Sequence, residues 1–548
     1  GEPEKEKERT SMKAKKVLAM LMASAMIMGT SVTAFAKEGT APSENDAAIV
    51  NITGVNAGAT YEAYQIIDAR YDEDGQGFVE YVWADGTPNA GQKVPDPAKD
   101  QITSDMITEL AKNPSNLKAF DNNNDPEDGN QFNPNENALP VGTWMILVTP
   151  GANDVKIYNP MIVSVYYNTN TSSSNNNDMK YGAVNADSNW GLATLNAYAK
   201  SSHVEDEVSK EVDDPQVSKK DDVGFTLKGT IPSYSENYYE NVTYTLTDTI
   251  VHGLQYKLGS DNIVEVTVKN GQNVLEKDTD YVVSMGEDNK SFSVAFTDAY
   301  IFDLANQPVA NRKVTVEYTA TITDEAYTTN GENNVKVTYT NKPGEVTTSE
   351  PKTKYTYTAS LDGVLKKVGV GADANGLAGA TFTLYGGVDS KYADADAVVD
   401  AIQKNELESF DHKMTDNTYD IEFKGLDLDK YYYLRETGTP EGYSINDTIF
   451  EIHFDNLVYE QSGREGENKL KSYTVHVKDM STGEELKEDG FVIEYGVAND
   501  NPINVENTKL ADLPSTGGIG TTIFTIGGCV IMVTAAGLYF ATRKKEQN

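Results

Sequence analysis

The residues best placed for chemistry in this sequence are lysines, carboxylates and asparagines that strand parity turns inward. Lys210 shares a face with Val208 and Val212, Asp248 with Val242, Tyr244, Leu246 and Ile250, and Asn333 with Val335, Val337 and Tyr339. An amine, an acid and a carboxamide therefore converge on one core, where ions are costly unless neutralised or paired. A second set lies further along the chain. Tyr432, Leu434 and Glu436 share a face, and so do Ile503, Val505 and Asn507. Its lysine has two candidates: Lys366 has the parity of Val364, Val368 and Val370, whereas Lys367 goes with Leu365 and Gly369. Apolar count alone favours Lys366. In the first set Asn334 is the rival of Asn333, and only parity argues against it.

Other constellations fall short. Asp121-x-Asn123-x-Asp125 begins like a calcium loop, but Pro126 stands where the turn requires glycine, so Asp121–Asn137 reads as a polar surface loop. The five histidines form no metal-spaced pair, and no glycine loop is built to cradle phosphate. No metal or cofactor is expected. Tyrosine richness suits half-exposed strands without implying glycan stacking.

The elements that must position these residues alternate with period two. Val314, Val316, Tyr318, Ala320 and Ile322 line one face of a run, and turn clusters such as Asp72-Glu73-Asp74-Gly75 separate such runs. Only two segments read as helical, about Ser104–Lys112 and about Ala395–Phe410. Many short strands with rare helices predict an all-β protein of tandem immunoglobulin-like β-sandwiches with short helical insertions. The chain's 548 residues suit three or four domains, with seams near Ser201–Val208 and Lys342–Lys354. With 84 acidic and 46 basic side chains the formal charge is −38, which excludes nucleic acid as a partner of the folded part. A single cysteine, Cys529, excludes disulfides as the source of stability.

Both ends carry address signals. Lys13, Lys15 and Lys16 precede an uncharged run from Val17 to Ala36 that closes on Ala34-Phe35-Ala36, the small-x-small pattern of signal peptidase sites. Met12 reads as the initiator and Lys37 as the first residue outside the membrane. At the far end, Ile519–Thr542 is an uncharged 24-residue run followed by Arg543-Lys544-Lys545, long enough to span a bilayer with the basic triplet inside. Directly before it stands Leu513-Pro514-Ser515-Thr516-Gly517. This tripartite tail resembles the sorting signal of Gram-positive surface proteins. The resemblance implies that a sortase cysteine attacks the Thr516 carbonyl, releases Gly517 onward and holds the rest as a thioester until an amine resolves it.

Further motifs extend the likeness. Leu377-Ala378-Gly379-Ala380, Tyr433-Leu434-Arg435-Glu436-Thr437 and Pro440-Glu441-Gly442-Tyr443 resemble the collagen-adhesin B-type domain, whose E-box glutamate maps onto Glu436. Its lysine maps onto Lys367 through Leu365-Lys366-Lys367-Val368, with Gly369 departing from the usual aspartate. The middle segment is similar to an A-type pilin domain with Asp248 as its acid. In such families the trio forms an intramolecular isopeptide bond, so the resemblance implies Lys210–Asn333 and Lys367–Asn507 cross-links, made with Asp248 and Glu436 as catalytic acids. Trp190 through Lys200 resembles the junction motif of backbone pilins, with Ala199 in place of proline and one extra residue, and implies Lys200 as the amine that sortase couples to the next subunit.

The expected organisation is 1–36 leader and signal peptide, 37–203 N-terminal pilin domain, 204–352 A-type isopeptide domain, 353–509 B-type domain and 510–548 sorting signal. The resemblance implies a major (backbone) subunit of a sortase-assembled pilus, secreted, retained transiently by its C-terminal helix and then anchored covalently to the cell wall. It is not an enzyme: it is a sortase substrate whose own bond formation happens once. Implied partners are class C pilus and housekeeping sortases, further copies of the chain, minor pilins, peptidoglycan and a host or extracellular ligand. The alternatives are a monomeric wall-anchored adhesin and a minor tip or base pilin.

Overall fold

The computed structural model describes residues 40–510, apart from 76, 96–101, 122–131, 152–153, 155, 169–182, 204–207, 235–241, 306, 328, 464, 496 and 498, together with 32–33 and 532–536. The sorting motif Leu513–Gly517, most of the leader and most of the C-terminal apolar run lie outside the described residues. Among the described residues no helix is long and apolar enough to cross a membrane.

Strands dominate, and their burial alternates as the sequence pattern dictates. In the N-terminal part, β1 (Thr60–Tyr71), β2 (Phe78–Trp83), β3 (Gly142–Thr149), β4 (Met161–Asn168) and β5 (Gly191–Leu195) form one sheet in the order β5-β4-β3-β1-β2. Val32–Thr33 pairs along the outer edge of β5. Helix α1 (Ser104–Lys112) begins where expected, capped by Thr103, whose side chain accepts from the Met106 N–H. Strand β3 is buried almost throughout, and α1 contributes Ile107, Leu110 and Ala111 to the same core.

The middle part is a two-sheet sandwich. One sheet runs β6 (Ser209–Val212), β7 (Asp222–Thr230), β11 (Lys313–Ile322), β9 (Val266–Asn270). The other runs β10 (Ser291–Phe296), β8 (Tyr244–His252), β12 (Gly331–Lys342), and β12 also pairs with β13 (Glu345–Thr348) and β14 (Lys352–Thr356). The inward residues of β11, from Val314 to Ile322, are all buried and the alternate ones are not. A short helix α2 (Asp298–Asp303), which the sequence pattern does not announce, buries only Ile301.

Within the segment Lys342–Lys354, Pro343-Gly344 makes a hairpin turn, with Gly344 at φ 76°, and the chain returns as β13 and β14. In the last part the helical reading of Ala395–Phe410 holds only for α3 (Ala395–Gln403), and Ser409–Met414 is instead the edge strand β17. Asn405, at φ 56°, stops the helix.

The last part has a long sheet in the order β17, β16 (Thr381–Val388), β18 (Tyr431–Gly438), β19 (Ile449–Tyr459), β20 (Leu470–Asp479). Opposite it, β15 (Leu365–Val368) pairs in parallel with β21 (Ile503–Glu506). Three main cores result, one per part, with a small satellite under α3. The joints are polar and specific. Lys342 Nζ bonds Glu62 Oε2 at 2.8 Å and Thr149 Oγ1 at 3.0 Å across the first joint. Asn330 exchanges both amide bonds with the Leu470 backbone across the second, at 3.1 and 3.3 Å.

Candidate functional site

The middle sandwich brings Lys210, Asp248 and Asn333 into one buried cluster. Lys210 comes from edge strand β6, held antiparallel to β7 with Lys210 opposite Leu227. Asp248 and Asn333 come from β8 and β12 of the facing sheet. The side chains of Lys210 and Asp248 are fully buried and in direct contact. The apolar environment, including the Phe225 ring 5.0 Å from Nζ, pushes the amine down to about 8, against the opposing pull of Asp248. Asn334, one residue on, turns outward, where its Oδ1 accepts from Thr353 Oγ1 at 2.6 Å. Its backbone carbonyl alone faces the amine, at 3.5 Å.

Two tyrosines complete this cluster, and neither was singled out from the sequence. Tyr318 on β11 accepts from Lys210 Nζ at 2.8 Å, accepts from Asn333 Nδ2 at 2.8 Å and donates to Asp248 Oδ2 at 2.7 Å. Tyr256 donates to the other oxygen, Oδ1, at 2.7 Å. Burial, reinforced by Asp248, holds both phenols well above their ordinary pKa. The signal for Tyr318 was its place on the inward face of β11, read as core because tyrosine packs well there.

In the last part, Lys367, Glu436 and Asn507 meet without an intermediary. Lys367 Nζ donates to Asn507 Oδ1 at 2.6 Å and lies 3.3 Å from Glu436 Oε2. Glu436 Oε1 accepts from Asn507 Nδ2 at 2.7 Å, and Thr439 Oγ1 accepts from the same nitrogen at 3.0 Å. Asn446 N–H fixes Oε2 at 3.0 Å. The lysine and glutamate side chains are 0% and 1% exposed, and burial lowers the amine pKa. Parity by apolar count had favoured Lys366, but Lys366 is half-buried over the Tyr419 ring at 5.9 Å. The alternation misleads because Val364, Leu365 and Val368 are all buried, so β15 is covered on both sides.

Lys200 lies apart from both clusters, half-buried where the chain leaves the first core. Its carbonyl accepts from Asn159 N–H at 2.9 Å, and the preceding Tyr198 is 46% exposed. Ala199 donates its N–H to Thr53 O at 2.7 Å, a bond that proline at this position could not make. Trp190 is buried with its Nε1 donating to Thr40 O at 2.7 Å. In the loop read as polar surface, Asn135 is more than surface: it exchanges two bonds with the Ile52 backbone, at 2.6 and 3.0 Å. Among the described residues no cluster of three metal-ligating side chains is found.

The structure is thus that of a modular β-sandwich protein with two buried trios of amine, acid and carboxamide. Comparison with known families makes this particular. Residues 45–201 match a T6 antigen immunoglobulin-like domain, 220–343 a Gram-positive pilin backbone subunit 2, Cna-B-like domain, 362–465 a prealbumin-like fold domain, and 505–548 an LPXTG cell-wall anchor motif. The Cna-B-like match over 220–343 differs from the A-type likeness drawn from the sequence. The chain is 24% identical to the trypsin-resistant surface T6 protein of Streptococcus pyogenes serotype M6, over 92% of this chain and 96% of the relative. The T6 backbone pilin structure from that serotype shares the fold, with a TM-score of 0.52 and 17% identity over 86% of this chain and all of that one. The full-length major pilin SpaD of Corynebacterium diphtheriae aligns with a TM-score of 0.42 and 15% identity over 83% of this chain and 93% of its own length. Two of these four matches are to models of Gram-positive surface proteins, a pilin backbone subunit and a cell-wall anchor motif, to which this chain is similar.

Proposed function

We propose that the chain is the polymerising subunit of a covalent pilus, and that each buried cluster condenses into a Lys–Asn isopeptide bond. The observation that carries this reading is the contact of Lys367 with Asn507 at 2.6 Å, bridged by a carboxylate that touches both reacting nitrogens. With the amine neutralised by burial, Nζ attacks Asn507 Cγ. Glu436 takes a proton from Nζ at Oε2 and delivers one to Nδ2 at Oε1 as the Cγ–Nδ2 bond breaks and ammonia leaves. The carboxyl ends as it began. Fixed strands supply the proximity that makes the amidation proceed, and the reaction runs once per molecule.

Between molecules, a class C pilus sortase cleaves after Thr516 and transfers that carbonyl to the Lys200 amine of another copy. A housekeeping sortase, minor pilins and peptidoglycan complete the assembly. The C-terminal apolar run holds the chain at the membrane until cleavage, and the exposed pilus supports adhesion to a host or extracellular ligand. Lys200 is supported by its position at the end of the first core beside an exposed tyrosine. Intact mass and peptide mapping test the internal bonds: a deficit of two ammonia masses, located at Lys210–Asn333 and Lys367–Asn507, is expected, and a mass equal to the translated sequence refutes them. For the intermolecular bond, Lys200→Ala in the producing strain should abolish the high-mass ladder on a denaturing gel. A persisting ladder excludes Lys200.

A further inference from the structure

The two clusters differ in how the acid reaches the leaving group. Glu436 spans both nitrogens with its own two oxygens. Asp248 is one methylene shorter: its Oδ2 contacts Lys210 Nζ, and its Oδ1 is taken by Tyr256. The contact missing between acid and carboxamide is made by Tyr318, whose hydroxyl sits within 2.8 Å of Asn333 Nδ2, 2.8 Å of Lys210 Nζ and 2.7 Å of Asp248 Oδ2. It is the one hydrogen-bond partner of the Asn333 carboxamide among the described residues, since Asn333 Oδ1 is buried without any. In the last part the ring beside the amine is Phe382, 5.6 Å from Lys367 Nζ, and carries no hydroxyl.

We propose that Tyr318 is a catalytic residue of the middle cluster, whose hydroxyl carries the proton from Asp248 to the departing nitrogen of Asn333. The inference rests on the isopeptide reading above. Lys210 Nζ bonds to Asn333 Cγ and gives one proton to Asp248. Tyr318 donates its hydroxyl proton to Nδ2 as the Cγ–Nδ2 bond breaks, and takes a replacement from the Asp248 carboxyl in the same step. Ammonia leaves, and acid and phenol both end as they began. Because the transfers are concerted, no phenolate has to form in the buried site.

The test is a time course of bond formation, followed by peptide mapping on the full chain, in wild type, Tyr318→Phe and Tyr256→Phe. Tyr256 hydrogen-bonds Asp248 and neither reacting nitrogen. Tyr318→Phe should slow the Lys210–Asn333 link by roughly 10²-fold or more, while the Lys367–Asn507 link in the same molecule still forms and limited proteolysis of the middle sandwich, matching that of Asn333→Ala, reports that it folds. Tyr256→Phe removes one hydrogen bond from Asp248 and should slow the middle link at least ~10-fold less than Tyr318→Phe does. The relay is overturned if Tyr318→Phe links as fast as wild type, or if both variants lose the link equally, which would mark a packing effect. A wild type that never links Lys210 to Asn333 instead refutes the isopeptide reading itself, and the relay with it.

Discussion

The middle and last clusters use the same three functional groups in different wiring. In the last, a glutamate reaches both ends of the prospective amide by itself, and backbone and threonine groups hold its partners in place. In the middle, an aspartate reaches only the amine, and two phenols hydrogen-bond to its oxygens. The difference teaches that reach, rather than residue identity, sets what a buried acid can do. An aspartate plus a tyrosine hydroxyl covers the distance that one glutamate covers alone. Burial beside aromatic rings lowers both amines, the middle one to about 8.

The largest break in this comparison comes from removing the self-sufficient acid. Glu436→Ala should abolish the Lys367–Asn507 link while sparing Lys210–Asn333. Positions 367 and 507 are 140 residues apart, so loss of that tie removes a chain-entropy stabilisation of about 4–5 kcal/mol, judged from cross-links closing comparably long loops. A thermal melt should show the last part unfolding earlier. An intact cross-link in this variant excludes the catalytic role, whereas a stability loss alone does not prove it, because truncation also leaves a cavity and an unpaired lysine.

A second effect is pH-dependent and belongs to the middle cluster once its link is prevented. In Asn333→Ala the buried amine of Lys210 stays free. Its folded pKa is depressed to about 8 from the ordinary 10.5. The unfolded chain therefore binds the proton more tightly, and stability should rise with pH across that interval. Below about pH 8 the penalty for burying the charged amine is fully present. Melting temperatures of Asn333→Ala, minus those of the linked wild type, should climb between pH 8 and 10. A flat difference rejects the depressed amine.

The smallest effects fall on the neighbours of the reacting residues. Lys366→Met should leave the Lys367–Asn507 link complete and shift stability by no more than ~0.5 kcal/mol, since its ammonium only overlies Tyr419. Asn334→Ala should likewise leave the Lys210–Asn333 link in place and lose only the side-chain bond with Thr353. Loss of either link would reassign the reacting residue, and peptide mapping decides.

Much of the architecture follows from period-two alternation, because each sandwich strand has one wet and one dry face. Lys210, Asp248 and Asn333 were legible for that reason. The same rule misread β15, which is covered on both sides, so that Lys367 was found through its resemblance to a family motif and not through parity. Helix α2 was missed because it buries one side chain and shows no periodicity. The hairpin at Pro343-Gly344 has no distinctive signature, because turn residues look alike inside a sheet and between modules. Tyr318 was visible as an inward aromatic, but its hydroxyl's three partners come from three other strands, and no local pattern can announce such a convergence.

The parallel pairing of β15 with β21 gives the proposed bond a mechanical meaning. Leu365–Val368 lies beside Ile503–Glu506, and Asn507 follows at once. Once Lys367 is joined to Asn507, tension entering along β15 crosses the amide and leaves toward the tail without travelling through the intervening sheet. The proposed Lys210–Asn333 link would make the same shortcut in the middle sandwich. The loops, helices and strands enclosed by each shortcut then hang beside the load instead of bearing it. They are free to vary in sequence and length without changing how far the fibre can stretch.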